Sequence, residues 1–212
     1  MKSFNLENKE NLKKLFYKEG FVYVNNFVNL KDFLLLKEIY KSLSFEEMRK
    51  DFLMPQSGNT PRHINVIGGK TTNDNSLLMQ FYRNKDFINS LTEITDNDVC
   101  ECPEIVENVI FTCLNREGDT HGWHKDDYPI AVIIGLESPD KGCGGELEYI
   151  SKDGTKKTVL LEEGDAYIMR SDILAHRVKP LLKETRRTIL NFTYSFNNFS
   201  VKPNGSAYSF CE

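Results

Sequence analysis

The sequence is poor in residues that carry several common kinds of protein chemistry. Its five cysteines (Cys100, Cys102, Cys113, Cys143 and Cys211) are odd in number and include no C-x-x-C pair. In a chain of 212 residues that set argues against a disulfide framework and against structural zinc, so the thiols are read as reduced. There is no glycine-rich phosphate loop and no G-x-S-x-G nucleophile turn. Apolar runs stay short, Ile130 to Ile134 being typical, far below the roughly 20 residues a membrane helix needs. Positive charge is not in excess: 27 Lys and Arg against 31 Asp and Glu leave a net charge of −4, with no field to attract phosphate backbones. No nucleic-acid partner and no membrane span are expected. The N-terminal MKSFNLENKENLKK lacks the apolar core of a secretory signal, so a cytoplasmic location is expected.

What remains is the composition of an ordinary globular protein, 40% hydrophobic and 27% charged. No repeat or linker divides it, which predicts one domain over 1–212: mainly helical support over 1–104, a β core over 105–196, and a tail or lid over 197–212 carrying Tyr208 and Phe210. Leu12, Leu15 and Phe16 recur at helical spacing before Gly20, residues 30–43 repeat the pattern, and a further helix is read over 75–94. FVYV at 21–24 suits a short strand. Beyond residue 105 the pattern becomes short β-rich runs near 106–114, 130–137, 146–150, 158–161, 166–170, 176–181 and 186–196, with turns at 142–145, 153–154 and 163–165. The expected fold is α+β: a jelly-roll, cupin-like double-stranded β-helix with the N-terminal helices packed on one face.

The four histidines, His63, His121, His124 and His176, bound the metal-ligating options. His124-Lys125-Asp126 is an H-x-D. On an extended segment the period of two puts His124 and Asp126 on one side, so an imidazole and a carboxylate can take adjacent positions on one ion. His176, on a later strand, can supply a third ligand. Two imidazoles and a carboxylate cover one face of an octahedral ion and leave three positions open, the arrangement associated with non-haem Fe(II). H-x-D arises easily by chance, and a loop histidine capped by a carboxylate explains it equally well; the order of the downstream residues is more specific. An apolar run (IAVIIGL) precedes a GG turn into GELEYI, then a GD before YIMR, then His176, and Arg187 eleven residues later. In RRTILNFTY, alternation puts Arg187, Ile189, Asn191 and Thr193 on one face and Thr188, Leu190, Phe192 and Tyr194 on the other. If the polar face points outward, Arg187 is solvated. If it points inward, Arg187 needs an anion, which a dicarboxylate supplies through a bidentate pair.

Together, His124-x-Asp126, the GD strand, His176 and Arg187 resemble the iron(II)/2-oxoglutarate-dependent dioxygenases over roughly residues 105–196. More narrowly, GDTHGWHKDDYPIAVIIGLE, GGELEYI and TRRTILNFTYS, with PRHINVIGG upstream, are similar to the small free-amino-acid halogenases and their hydroxylase relatives. The resemblance implies Fe(II) held by His124, Asp126 and His176, with O2 as co-reactant and 2-oxoglutarate gripped at its far carboxylate by Arg187. It also implies that Arg62 binds an anion near the iron and that His121, Asp127, Asn191 and Thr193 contact an amino acid. In the halogenating members Gly replaces the H-x-D carboxylate and makes room for chloride; Asp126 fills that position, which argues for hydroxylation. Parity adds Glu107, read either as one carboxylate on the inward Val109, Phe111, Cys113 face of the strand over 106–114 or as a strand-entry residue still in solvent. Trp123 is read as a residue that shapes the pocket or packs.

The expected activity is hydroxylation of an unactivated C–H bond in a free polar or cationic amino acid of the lysine, ornithine or arginine type. Two carboxylates, Glu107 and Asp127, could receive two amino groups. Two alternatives stay open: the same chemistry on a protein or peptide side chain, and a cupin-like metal-binding module without catalysis.

Overall fold

A computed structural model describes residues 4–200. The expected tail and its Tyr208 and Phe210, like Cys211, lie outside the described residues. The first half contains α1 (Lys9–Glu19), β1 (Phe21–Val24), α2 (Leu30–Leu43), β2 (Met48–Met54), β3 (Thr60–Ile67), α3 (Gly69–Asn73), α4 (Ser76–Tyr82), α5 (Lys85–Thr95), β4 (Val99–Glu101) and α6 (Ile105–Asn108). The second half is strand: β5 (Val109–Leu114), β6 (Thr120–His124), β7 (Ile130–Glu137), β8 (Leu147–Ile150), β9 (Lys156–Val159), β10 (Ala166–Arg170), β11 (His176–Val178) and β12 (Arg187–Phe196).

Asparagines set where the helices begin. Asn29 accepts from the Asp32 N–H, Asn75 from Leu78 and Asn84 from Phe87, each at 3.0 Å, satisfying donors that have no partner inside the helix. The expected helix over 75–94 is therefore two helices, since Asn84 caps a new one where the apolar spacing alone reads as continuous.

All twelve strands join one antiparallel sheet in the order β1-β10-β7-β12-β5-β3-β6-β11-β8-β9, with β2 on β3 and β4 on β12. The sheet curls at β3. Asn65 to Ile67 pair with β5, whereas Arg62 and His63 pair with β6, so this strand carries the sheet from one layer into the facing one. The result is the expected double-stranded β-helix. The first half, which is more helix than strand, also contributes β2, β3 and β4 to the sheet, which apolar spacing did not foresee. β2 is an edge strand whose charged, partly exposed MRKDFLM shows no apolar alternation, so only its pairing with β3 defines it.

β7 explains why IAVII reads as one apolar run: both its faces are buried. Ile130, Val132 and Ile134 pack outward with the helices, sharing a cluster with Leu36, Leu78, Leu91, Leu190 and Phe192, while Ala131 and Ile133 pack inward with Leu147, Tyr149 and Tyr167. Each such fully buried large side chain contributes about 1.5–3 kcal/mol. A separate inner cluster of Ile64, Val66, Ile110, Leu114 and Val178 fills another part of the barrel. Among the described residues no helix is long and apolar enough to cross a membrane, and Cys100, Cys102, Cys113 and Cys143 are free thiols.

Candidate active site

His124 closes β6 and His176 opens β11, and the two are direct cross-strand partners. The chain after β6 is tied down by the Asp126 N–H, which donates to the Ser171 carbonyl at 2.9 Å. The Asp126 carboxylate oxygen then lies 3.5 Å from His124 Nε2 and 3.7 Å from His176 Nε2. One ligand atom from each of the three lies within 4.8 Å of the others.

The ring nitrogens facing away set the chemistry of those facing in. His124 Nδ1 donates to the Gly122 carbonyl at 2.7 Å, and His176 Nδ1 to the Leu174 carbonyl at 2.9 Å. A carbonyl only accepts, so each Nδ1 carries a proton, and Nε2, which faces the carboxylate, is the nitrogen left to ligate a metal. Burial, and then the neighbouring His176 and Arg62 side chains, hold His124 well below the usual histidine range. This donor set fits a divalent transition metal bound on one face.

His121 reaches the same space by a route that alternation does not foresee. It lies three positions before His124, which on a regular strand sends the two to opposite faces. Here His176 pairs with His124 while Val178 pairs with His121, so β6 bulges between them. Both rings face inward and stack, centroids 3.7 Å apart and 9° from parallel. Gly122 lies in the bulge because nothing larger fits: a Cβ there would come 2.7 Å from Thr60 Cβ and 2.8 Å from the Pro61 carbonyl. The other bulge residue, Trp123, turns away from the cavity and carries the Arg177 guanidinium 5.1 Å from its ring centroid.

The facing layer supplies the remaining residues. Arg187, Ile189, Asn191 and Thr193 all line the cavity, so the polar face of β12 points inward. Arg187 is only 4% exposed. Its guanidinium bonds to the Tyr167 hydroxyl, burial lowers its proton affinity, and no carboxylate pairs with it among the described residues. Asn191 Oδ1 is buried without a hydrogen-bond partner among the described residues, while its Nδ2 donates to Thr193 at 3.4 Å. Arg62, on β3, donates to His121 Nε2 in a short hydrogen bond and lies over the Phe52 ring.

Glu107 lines the cavity too, but not from a strand. It lies in the helical turn α6, and β5 begins only at Val109. The expected parity is reversed: Val109 and Phe111 pack toward the helices, whereas Ile110 and Thr112 face the cavity. Burial, then the charges of Asp127, Asp126 and Glu104, push the Glu107 carboxyl up to about 8. Between its ordinary value of 4.5 and about 8, the folded metal-free protein holds a proton here that the unfolded chain has lost. This group's contribution to stability therefore falls as pH rises through that window. Thermal melts of the metal-free protein should show Glu107→Gln flattening the decline between pH 5 and 8; an unchanged profile contradicts the shift.

The ten residues read from the sequence as iron, cosubstrate or substrate contacts thus all line one cavity. Tyr167, Gln56 and Ser57 line it as well and were not anticipated. Alternation along β10 would have found Tyr167, whereas Gln56 and Ser57 belong to a turn of the β2–β3 hairpin that apolar periodicity does not reveal. His63 is exposed and pairs with Asp51 at 3.0 Å, away from the cavity.

The halogenase D family model matches residues 4–158 and 152–203. The chain belongs to the halogenase D family. No curated protein matches the sequence of this family member. Among solved structures, it is similar to the non-heme alpha-ketoglutarate-dependent epimerase SnoN from nogalamycin biosynthesis, at 14% identity over 94% of this chain and 87% of that one, TM-score 0.73. It is similar to a Pseudomonas putida prolyl-4-hydroxylase at 14% identity, covering 90% of this chain and 100% of the other, TM-score 0.65. A third is HygX from Streptomyces hygroscopicus, solved with nickel, 2-oxoglutarate and hygromycin B, at 10% identity over 90% and 88% of the two chains, TM-score 0.65. At these identities what the halogenase D family member shares with them is the fold.

Proposed function

We propose that the chain is an Fe(II)- and 2-oxoglutarate-dependent hydroxylase of an unactivated C–H bond in a free polar or cationic amino acid. His124, Asp126 and His176 hold the iron. Arg187, steadied by Tyr167, grips the far carboxylate of 2-oxoglutarate. When bound, the iron with 2-oxoglutarate and O2 supplies oxidation of the C–H bond, with succinate and CO2 as by-products. The protein's own work is to bind, orient and exclude water. Family membership supports the general reading, and the carboxylate of Asp126 in the H-x-D favours hydroxylation over halogenation.

The observation that carries the substrate reading is that two acidic side chains besides Asp126, Glu107 and Asp127, line the same cavity as Arg187. Arg187 sits at one end of the polar face of β12, and Asn191 lies four residues, or about 13 Å, along the strand. The carboxylates Glu107 and Asp127 share the cavity with Asn191 and its unpaired Oδ1. Those acceptors suit ammonium groups, whose positive charge would draw off the proton that Glu107 holds in the empty site, and Arg62 suits the substrate carboxylate. His121, stacked on His124 and bonded to Arg62, holds the edge where substrate meets metal.

Glu107→Ala and Asp127→Ala should each raise KM for a basic amino acid by roughly 30-fold or more, as expected when one partner of a desolvated charge pair is removed. KM for 2-oxoglutarate should stay within about twofold, since the effect is local to the substrate. Unchanged KM for every basic amino acid would remove this substrate class. Turnover that needs a peptide while free amino acids stay inert would replace it with the protein side-chain reading.

A further inference from the structure

The outer face of β12 carries a network that the cavity does not use. Arg186 and Thr188 flank Arg187 and point away from the cavity by strand alternation. Both donate to the same atom, Glu137 Oε2: Arg186 Nε at 2.9 Å and the Thr188 hydroxyl in a short hydrogen bond. One carboxylate oxygen therefore ties the residues before and after Arg187 to the end of β7. Arg186 Nη2 also donates to the Tyr40 hydroxyl at 2.9 Å, and Tyr40 donates to Glu47, which extends the tie to α2.

Glu137 can do this only because β7 is irregular at this point. Thr188 pairs with Glu137 but Ile189 pairs with Gly135, so Leu136 is an extra residue, a β-bulge opposite the start of β12. On a regular strand Glu137 would share the inward face of Ile133 and Gly135, where its carboxylate would meet the cavity and the guanidinium of Arg187. The bulge turns it outward beside Leu136, which packs against the helices. The bulge is pinned at Gly135, whose N–H donates to Asp165 at 3.0 Å and whose carbonyl accepts from Gly164 at 2.9 Å. A Cβ on Gly135 would lie 2.3 Å from the Glu162 carbonyl, so the neighbouring turn closes directly over it.

We infer that Glu137 is a positioning residue for the cosubstrate: by clamping Arg186 and Thr188 it fixes the direction of Arg187, and by lying outside the bulge it leaves that guanidinium free for an external carboxylate. This role rests on the assignment of Arg187 to 2-oxoglutarate.

Glu137→Ala, Glu137→Gln, Thr188→Val and Arg187→Lys would be titrated anaerobically with 2-oxoglutarate in the iron-loaded protein, following the visible charge-transfer band. Iron affinity and the ligand-free melting midpoint would be measured alongside. Glu137→Ala should weaken 2-oxoglutarate binding roughly ten- to a hundredfold, as a misdirected binding group does, with iron affinity unchanged. Glu137→Gln keeps an acceptor oxygen and should restore most of the affinity. Thr188→Val, which removes one of the two donors and is the milder change to the fold, should shift it the same way by less. Wild-type affinity in Glu137→Ala overturns the inference, as does a loss of iron and 2-oxoglutarate affinity together without rescue by Gln. If Arg187→Lys binds 2-oxoglutarate like wild type, the reading of the cavity fails instead; if only Arg187→Lys is impaired, the clamp alone is wrong.

Discussion

Arg187→Met is expected to abolish 2-oxoglutarate binding while leaving the ligand-free protein at least as stable as wild type. Arg187 is 4% exposed and has no carboxylate partner among the described residues, only the hydroxyl of Tyr167. A buried cation without an anion costs stability, and replacing such a charge by an apolar side chain of similar volume is often neutral or stabilising. The lost hydrogen bond to Tyr167 offsets this by only about 1 kcal/mol. Cosubstrate binding responds in the opposite direction. Removing one partner of a buried charge pair costs about 2–5 kcal/mol, or roughly 30- to 4000-fold in Kd. Thermal melts with and without 2-oxoglutarate separate the two effects. At a concentration of about 100 Kd the wild type gains about 2.7 kcal/mol from the ligand, and the variant should gain almost none. A variant that melts lower without ligand and still gains the full shift contradicts the role given to Arg187.

The second large effect concerns the metal. Asp126→Ala leaves both imidazoles in place, because their orientation depends on the Gly122 and Leu174 carbonyls and not on the carboxylate. It nevertheless removes the one anionic donor, whose oxygen lies 3.5 and 3.7 Å from the two Nε2 atoms. Outer-sphere partners alone are worth 10- to 100-fold in metal affinity, so loss of a direct ligand should exceed roughly a hundredfold. Anaerobic Fe(II) titration of wild type and variant tests this. Equal affinity would remove Asp126 from the ligand set and leave the His124–His176 pair as an ordinary cross-strand contact.

How much of this was legible in the sequence depended on whether local periodicity survived folding. The face of β12 bearing Arg187, Ile189, Asn191 and Thr193 was readable, because Leu190, Phe192 and Tyr194 on the other face are uniformly apolar. β7 was readable as a strand for the opposite reason, since both its faces are buried and IAVII has no polar break. The β2–β3 hairpin escaped: β2 is an edge strand with charged residues along it, and its stability comes from pairing that the sequence does not display. Glu107 was assigned to the right cavity from the wrong element. The four residues of α6 are too few to show a helical period and run directly into β5, so a strand pattern could be extended over them. Bulges were the other blind spot. The Gly122–Trp123 bulge brings His121 beside His124, and the one at Leu136 turns Glu137 outward. Each inverts the face that alternation assigns, and neither shows until the partner strand is known.

The most direct measurement begins with anaerobic addition of Fe(II) and 2-oxoglutarate to the purified protein, watching for the visible charge-transfer band. Oxygen is then admitted with a mixture of free amino acids, and the products are read by mass spectrometry. The expected result is the band, followed by a gain of about 16 mass units on one polar or basic amino acid with succinate formed in equal amount. A band with no amino acid oxidised contradicts the free-amino-acid reading and keeps the iron site. Absence of any band, with iron and 2-oxoglutarate both in excess, contradicts the central claim and leaves a metal-binding barrel without this chemistry.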